Sequence, residues 1–261
     1  MNKAEHHVVL ISGAGGGIGR RTAERFLERG DEVHICDVSP QSVDEFLAAN
    51  PGATGTVADI GNRDDVDRIF SDLQASHDYL DILVNNAGIA GPSAPIDKHD
   101  EDGWDRCIQV NLSGTFYMTR RAVPMLRKSG GGAIINVSST AALHGYPNRS
   151  AYAASKWAMI GLMKTWAMEL GPEGIRVNAV CPTSVEGERI EKVIARDAEQ
   201  RGLPVEQVRD VYLRQTSMRS FVTPDDVADT VLFLASDAAK KVSGQSISVD
   251  GHTEGLSNWL D

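Results

Sequence analysis

Ser12-Gly13-Ala14-Gly15-Gly16-Gly17-Ile18-Gly19 places five glycines in eight positions, between an apolar run at 8–11 and a segment of helical period that opens at Ile18. A junction of this kind turns tightly and lets backbone N–H groups approach a pyrophosphate, whose charge the N-terminus of the next helix favours. The other reading is a flexible strand-to-helix loop. The position of the glycines, directly after the first apolar run, favours the phosphate cradle.

The rest of the chain keeps the same rhythm. Short runs rich in Val and Ile alternate with longer helix-period segments, and no repeat or low-complexity tract interrupts them, which is a βαβ pattern. It predicts strands over 8–12, 32–37, 54–57, 81–85, 133–138, 176–180 and 246–249, and helices over 18–29, 42–50, 64–76, 101–128, 151–170 and 223–236. The near-continuous hydrophobicity of the strands implies burial on both faces. The expected fold is therefore α/β, a doubly wound parallel sheet (Rossmann fold) of about seven strands with helices on both faces.

Punctuation supports the helices: Gly30 as a left-handed C-terminal residue, Gly171-Pro172 as a stop, and Thr223-Pro224-Asp225-Asp226 as a capped start. With 261 residues and no Pro/Gly/Ser-rich linker, the chain reads as a single domain over 1–261. Only 183–222 departs from tight alternation. Long, polar and helix-prone, with Gly187, Gly202 and Pro204 as breaks, it is the expected substrate lid.

Several partners are argued against. A formal net charge of −10 is the wrong sign for gripping nucleic acid through its phosphates. The polar leader through His7 meets only four apolar residues, too few for a signal core or a membrane span, so residence in the cytoplasm is expected. Cys36, Cys107 and Cys181 lack metal or redox spacing and read as packing residues, and no metal is expected.

Asp37 ends the second predicted strand, 18 residues after Gly19, where the ribose of a dinucleotide on the glycine loop would lie. Its carboxylate would accept from the ribose hydroxyls and repel a 2′-phosphate, and neither Ala14, Gly15 nor Val38 offers a basic residue, so NAD is expected over NADP. Tyr152 and Lys156, four apart at helical period, share one helix face, where an ammonium favours the phenolate. Ser138 and Ser139 end a strand at the carboxyl edge of the sheet, within reach of the same pocket. Asn111 is a poor choice inside a helix unless its amide has a task, such as holding a water beside the lysine; a helix bend is the alternative.

Taken together these residues resemble the compact members of the short-chain dehydrogenase/reductase family, over nearly the whole chain. Ser12-Gly13-x-x-x-Gly17-Ile18-Gly19 resembles the family's T-G-x-x-x-G-I-G, Asp59 its adenine-contacting acid, Asn85-Asn86-Ala87-Gly88 its N-N-A-G, and Ser139, Tyr152 and Lys156 its Ser…Y-x-x-x-K set. Asn111 falls at the family's helix Asn. One departure is Thr183 after Pro182, where the family usually has glycine; threonine does not adopt glycine's positive φ cheaply, so a different backbone is expected there.

The resemblance implies Asn111, Ser139, Tyr152 and Lys156 as catalytic residues. For NAD it implies Gly13, Gly17, Ile18, Gly19, Asp37, Asp59, Ile60, Asn86, Gly88, Tyr152, Lys156, Thr183 and Val185. The implied reaction passes a hydride between nicotinamide and a small-molecule secondary alcohol or ketone. A sugar, polyol or hydroxy acid is the first expectation and a steroid or aromatic ketone the alternative; a non-catalytic nucleotide-binding regulator of the same fold is a further reading. Pocket candidates are Ile89, Gly91, His144, Tyr146, Trp157, Glu186, Glu188 and Arg189. A homo-oligomer, as a tetramer, is implied as well, and Trp104, Phe116, Met118, Met159, Met163 and Trp166 offer more apolar surface than one buried face needs.

Overall fold

A computed structural model of the chain describes residues 6–256; residues 1–5 of the polar leader, residues 257–261 and the corresponding ends of the expected domain lie outside it. Seven strands form one sheet: β1 (Val8–Ser12), β2 (Glu32–Asp37), β3 (Thr54–Val57), β4 (Ile82–Asn85), β5 (Gly132–Val137), β6 (Ile175–Pro182) and β7 (Ser246–Val249). Their order is β3-β2-β1-β4-β5-β6-β7, and every neighbouring pair is parallel. The order reverses between β1 and β4, and the crevice beyond the carboxyl ends of those strands is where open sheets of this kind take ligands.

Because alternate side chains point to opposite faces, each strand feeds two cores. On one face Val9 and Ile11 of β1 pack with Ala23 and Phe26 of α1 (Gly17–Glu28), Val43 and Phe46 of α2 (Pro40–Ala49), and Val227 and Val231. On the other, Val8 and Leu10 pack with Ile69 and Phe70 of α3 (Arg63–Gln74), and with Met118, Met125, Met163 and Trp166. Both faces of the sheet are thus covered, as the continuous apolar runs require.

The expected helix over 101–128 is three pieces: α4 (Glu101–Ile108), a π-helical turn (Gln109–Gly114) and α5 (Thr115–Lys128). Asn111 lies in the wide turn. α6 (Ser150–Leu170) runs on through a short 3-10 turn, so the left-handed stop is Gly174 (φ 75°) rather than Gly171. Thr223 and Asp226 form a reciprocal cap.

The 183–222 segment, read as helix-prone without bounds, holds two helices, α7 (Glu188–Arg201) and α8 (Val205–Arg214). They share a small core of their own, with Ile190, Ile194, Ala198, Val208, Tyr212 and Phe221. At the base, Val185 bridges Val222, Glu186 N donates to Val222 O (2.8 Å) and Val222 N to Ser184 O (3.0 Å). The last helix, α9 (Pro224–Ala235), follows at once. No described helix is long and apolar enough to cross a membrane.

Four of the six residues expected to be surplus to the core are not. Met118, Met159 and Met163 are fully buried and Trp166 is 9% exposed. Phe116 stays open, and the larger exposed apolar residues on α6 are Trp157 and Met168.

Candidate active site

A cleft of about 510 Å³ runs over the carboxyl ends of the strands, from Asp37 and Asp59 to Tyr152 and Arg189. Its nucleotide end is built on close backbone contact. A Cβ at Gly13 would lie 2.6 Å from Ala87 Cα, and one at Gly19 would lie 2.3 Å from Gly13 O, so both positions exclude any side chain. Gly16 and Gly17 face open space, and Gly17 starts α1 with φ 52°. The loop is tied to β2 by Gly13 N, which donates to Cys36 O (2.7 Å).

It is tied to β4 by Asn86, whose amide donates to Ser12 O (3.0 Å) and Gly13 O (2.8 Å), while Ser12 Oγ accepts from Asn86 N and Ala87 N (3.1 Å each). The serine that replaces the expected threonine therefore keeps a structural bond through its hydroxyl. Behind it, Asn85 donates to Thr119 Oγ1 (3.0 Å) and Asn136 Oδ1 (2.9 Å) in the buried sheet.

Asp37 is aimed in advance. One carboxylate oxygen accepts from Gly15 N and the other from Ser39 N, both at 3.0 Å, which leaves lone pairs for two further donors. Asp59 also lines the cleft but carries a partner not foreseen in the sequence: Arg106 of α4 donates to it at 2.6 Å, and Gly61 N donates to its other oxygen (2.9 Å). Ile60, buried, forms the wall beside it. A wide cradle of bare backbone at a helix N-terminus, with a pre-oriented carboxylate one strand away, fits a dinucleotide.

At the other end, the i, i+4 spacing on α6 carries Tyr152 and Lys156 to one face, and Lys156 Nζ lies 5.7 Å from the Tyr152 ring centroid. Lys156 is buried and donates to Val137 O (2.9 Å), leaving two donors. The two expected serine candidates separate here: Ser138 donates to the Lys156 carbonyl (3.3 Å), whereas the Ser139 hydroxyl bonds the Tyr152 phenol. Burial pushes that phenol up, but the charges of Lys156 and Arg189 and the bond to Ser139 outweigh it, and it sits below its ordinary value. Burial and the Arg189 charge hold the Lys156 ammonium below its own ordinary value, against the pull of Tyr152.

The Asn111 amide is held by protein groups on both its nitrogen and its oxygen. Nδ2 donates to Ile89 O (3.0 Å) and Ser155 Oγ (3.1 Å), and Oδ1 accepts from Ile89 N (2.8 Å), so both amide donors go to protein. Only the second lone pair of Oδ1 is left. Gly88 brings that oxygen and the lysine together, since a Cβ there would lie 3.2 Å from Asn111 Oδ1 and 3.6 Å from Lys156 Nζ.

Thr183 and Val185 line the cleft. Among the described residues the only non-glycine positions with positive φ are Asn148, Arg219 and His252, so Thr183 sits in ordinary backbone and not in the positive-φ region open to glycine. Its amide donates to Val249 O (3.3 Å), and its hydroxyl accepts from Thr253 (3.4 Å).

Of the pocket candidates, Ile89, Tyr146, Glu186, Glu188 and Arg189 line the cleft. Trp157 does not, being exposed on the outer face of α6, nor does His144, and Gly91 is packed on Cys107 instead. Missed altogether was Arg149, 8% exposed, which lines the cleft three residues before Tyr152. All three cysteines are buried and unpaired, and among the described residues no cluster of His, Cys, Asp and Glu could hold a metal.

The chain matches, over residues 13–253, the family model described as enoyl-(acyl carrier protein) reductase. It is 38% identical to the 3-oxoacyl-(acyl-carrier-protein) reductase FabG of Thermotoga maritima, with 95% of this chain and 98% of that one covered. A 3beta-hydroxysteroid dehydrogenase of Mediterraneibacter gnavus is 33% identical, with 96% of each covered. Among solved structures, an NAD+-bound xylitol dehydrogenase superposes with a TM-score of 0.91 at 27% identity, over 96% of this chain and 100% of that one.

Proposed function

The chain belongs to the short-chain dehydrogenase/reductase family, whose members are nicotinamide-dependent oxidoreductases of alcohols and ketones, and from that premise we propose a cytoplasmic NAD-dependent enzyme acting on a small secondary alcohol or ketone. The observation that carries this reading is the Tyr152 phenol, held below its ordinary pKa between Lys156 and the Ser139 hydroxyl. Nicotinamide, when bound, takes or returns the hydride. Tyr152 removes the alcohol proton in oxidation and returns it in reduction, as a general base and acid. Ser139 donates to the substrate oxygen and fixes it beside the phenol. Lys156 stabilises the phenolate and has donors left for the nicotinamide ribose, and Asn111 Oδ1, across Gly88, holds a water against the lysine. Thr183 and Val185 flank the nicotinamide end, the helices over 183–222 act as the substrate lid, and the whole chain works as one domain. A panel of sugars, polyols and hydroxy acids, followed through nicotinamide absorbance, tests the reaction; absence of turnover across the panel refutes it.

The reading of NAD over NADP rests on Asp37, whose carboxylate meets ribose hydroxyls and opposes a phosphate. Support also comes from Gly15, where a Cβ would fall 2.6 Å from Ser42 Cβ and 2.9 Å from Asp37 Cγ, leaving no room for a basic side chain. Asp37→Ala is expected to lower kcat/KM for NAD by about 10–100-fold through loss of hydrogen bonds to a charged acceptor, and to narrow the gap to NADP. Equal kcat/KM for the two cofactors in the unaltered enzyme would sink the assignment.

A homotetramer is proposed too. With the methionines absorbed by the core, its support is the exposed Phe116 on α5 and the exposed Trp157 and Met168 on α6, apolar surface on neighbouring helices. Light scattering at micromolar concentration is expected to give a multiple of the chain mass of 28.1 kDa; a monomer would count against it.

A further inference from the structure

Resting on the reading of Tyr152 as the group that takes the alcohol proton, we infer that the substrate is a hydroxy acid, its carboxylate clamped between the guanidinium groups of Arg149 and Arg189.

Arg149 is the first observation. It is more than nine-tenths buried and lines the cleft, yet among the described residues its guanidinium makes no ion pair and no hydrogen bond; its packing partner is the Tyr146 ring, 5.9 Å from its central carbon. None of its nitrogens is both sealed off and unpartnered, so the guanidinium opens on the cleft, where a bound anion can supply its counter-charge. Asp197, whose charge acts on Tyr146 and Tyr212, faces Arg201 on its own helix at 3.5 Å.

Arg189 is the second. It stands in the first turn of α7, where the helix dipole disfavours a positive side chain, so its place is not explained by helix stability. Its guanidinium carbon lies 5.9 Å from the Tyr152 ring centroid, and it too has no ion pair among the described residues. Of the acids beside it, Glu188 is engaged by Lys192 (2.7 Å), and Glu186 acts on Arg209. Lys156, Arg189 and Arg149 all line the one cleft that holds Tyr152.

A chain of net charge −10 has thus gathered Arg149, Lys156 and Arg189 around one cleft, where Glu186 and Glu188, also in its wall, are drawn to Arg209 and Lys192. A neutral alcohol would leave that charge uncompensated. A carboxylate accepts a two-pronged guanidinium donor on each side, and such pairs orient as well as bind. With the acid held by two arginines and the carbinol oxygen by Ser139, one C–H is presented to nicotinamide. In oxidation that C–H bond breaks with its electron pair going to oxidised nicotinamide, the O–H proton passes to Tyr152, and a keto acid forms. The reverse balances in the same way.

The test uses a panel of short 2- and 3-hydroxy acids, each with its neutral amide and a phosphorylated analogue. Turnover with NAD is measured beside calorimetric binding to the enzyme with NADH. At least one acid is expected to exceed its amide by about 10²-fold in kcat/KM, the upper end of what a hydrogen bond to a charged group contributes. Arg149→Gln and Arg189→Gln should each collapse that acid-to-amide ratio, with Arg→Lys at either position restoring part of it; thermal unfolding checks that the variants are folded. Acids no better than amides, a preference for the phosphorylated analogue, or a ratio that survives both substitutions would overturn the clamp. If nothing is turned over, the oxidoreductase reading fails, and calorimetry still decides this one: acid binding lost in both glutamine variants supports it, and no acid binding refutes it.

Discussion

Tyr152→Phe is expected to lower kcat by about 10²–10⁴-fold, the range a positioned general acid/base contributes, while NAD still binds. The substitution keeps the ring, so the packing of α6 against the sheet is retained. What disappears is the hydroxyl that Ser139 bonds and that Lys156 and Arg189 act on. The glycine loop takes its shape from Ser12, Asn86 and Cys36, none of which touches the phenol, so the nucleotide cradle is independent of this change. Equilibrium binding of NADH and steady-state kcat, measured on the same preparation, separate the two. Near-normal turnover would mean that another group takes the alcohol proton. Loss of cofactor binding instead would mean that Tyr152 is part of the cradle rather than of the chemistry.

How much of this was legible beforehand depends on whether the physics was local. Strands 8–12 and 32–37 end where expected, because a strand buried on both faces leaves a continuous apolar run with abrupt polar ends; 54–57 and 246–249, the partly exposed edge strands, also end where expected. The helix over 101–128 was misread as continuous, since a π turn keeps helical periodicity nearly intact; Asn111 was the visible signal, and its bonds to Ile89 show why the chain widens there. The 183–222 segment was read as helix-prone but given no helix bounds because polar residues dominate it, although Ile190, Val193, Ile194 and Ala198 recur at helical spacing between Gly187 and Gly202. Met118, Met159, Met163 and Trp166 were assigned to an interface because nothing local tells a helix buried against a sheet from one buried against a partner. Arg149 was invisible for a related reason. Its burial is created by Tyr146, 5.9 Å away, and by the cleft as a whole, and a lone arginine before a helix carries no sign of either.

Lys156→Met tests the electrostatics rather than the proton acceptor. The ammonium and Arg189 hold the phenol below its ordinary value against burial, which pushes the other way. Methionine fills similar space without charge, so burial then meets only Arg189 and the Ser139 bond, and the phenol pKa must rise. Oxidation needs the phenolate, so its rate climbs with pH through that pKa, and the climb should move to higher pH in the variant. Reduction needs the protonated phenol, so its fall with rising pH should move the same way. At a fixed pH below the shifted midpoint, oxidation loses about tenfold for each unit of displacement. NAD affinity should fall as well, because the donors that Lys156 has beyond Val137 O are the ones proposed for the ribose. The measurement is a kcat–pH profile in both directions beside NADH binding. A midpoint that stays in place would show that Lys156 does not tune the phenol, and a midpoint that moves with NADH affinity unchanged would confine the lysine to that tuning and remove it from the cofactor site.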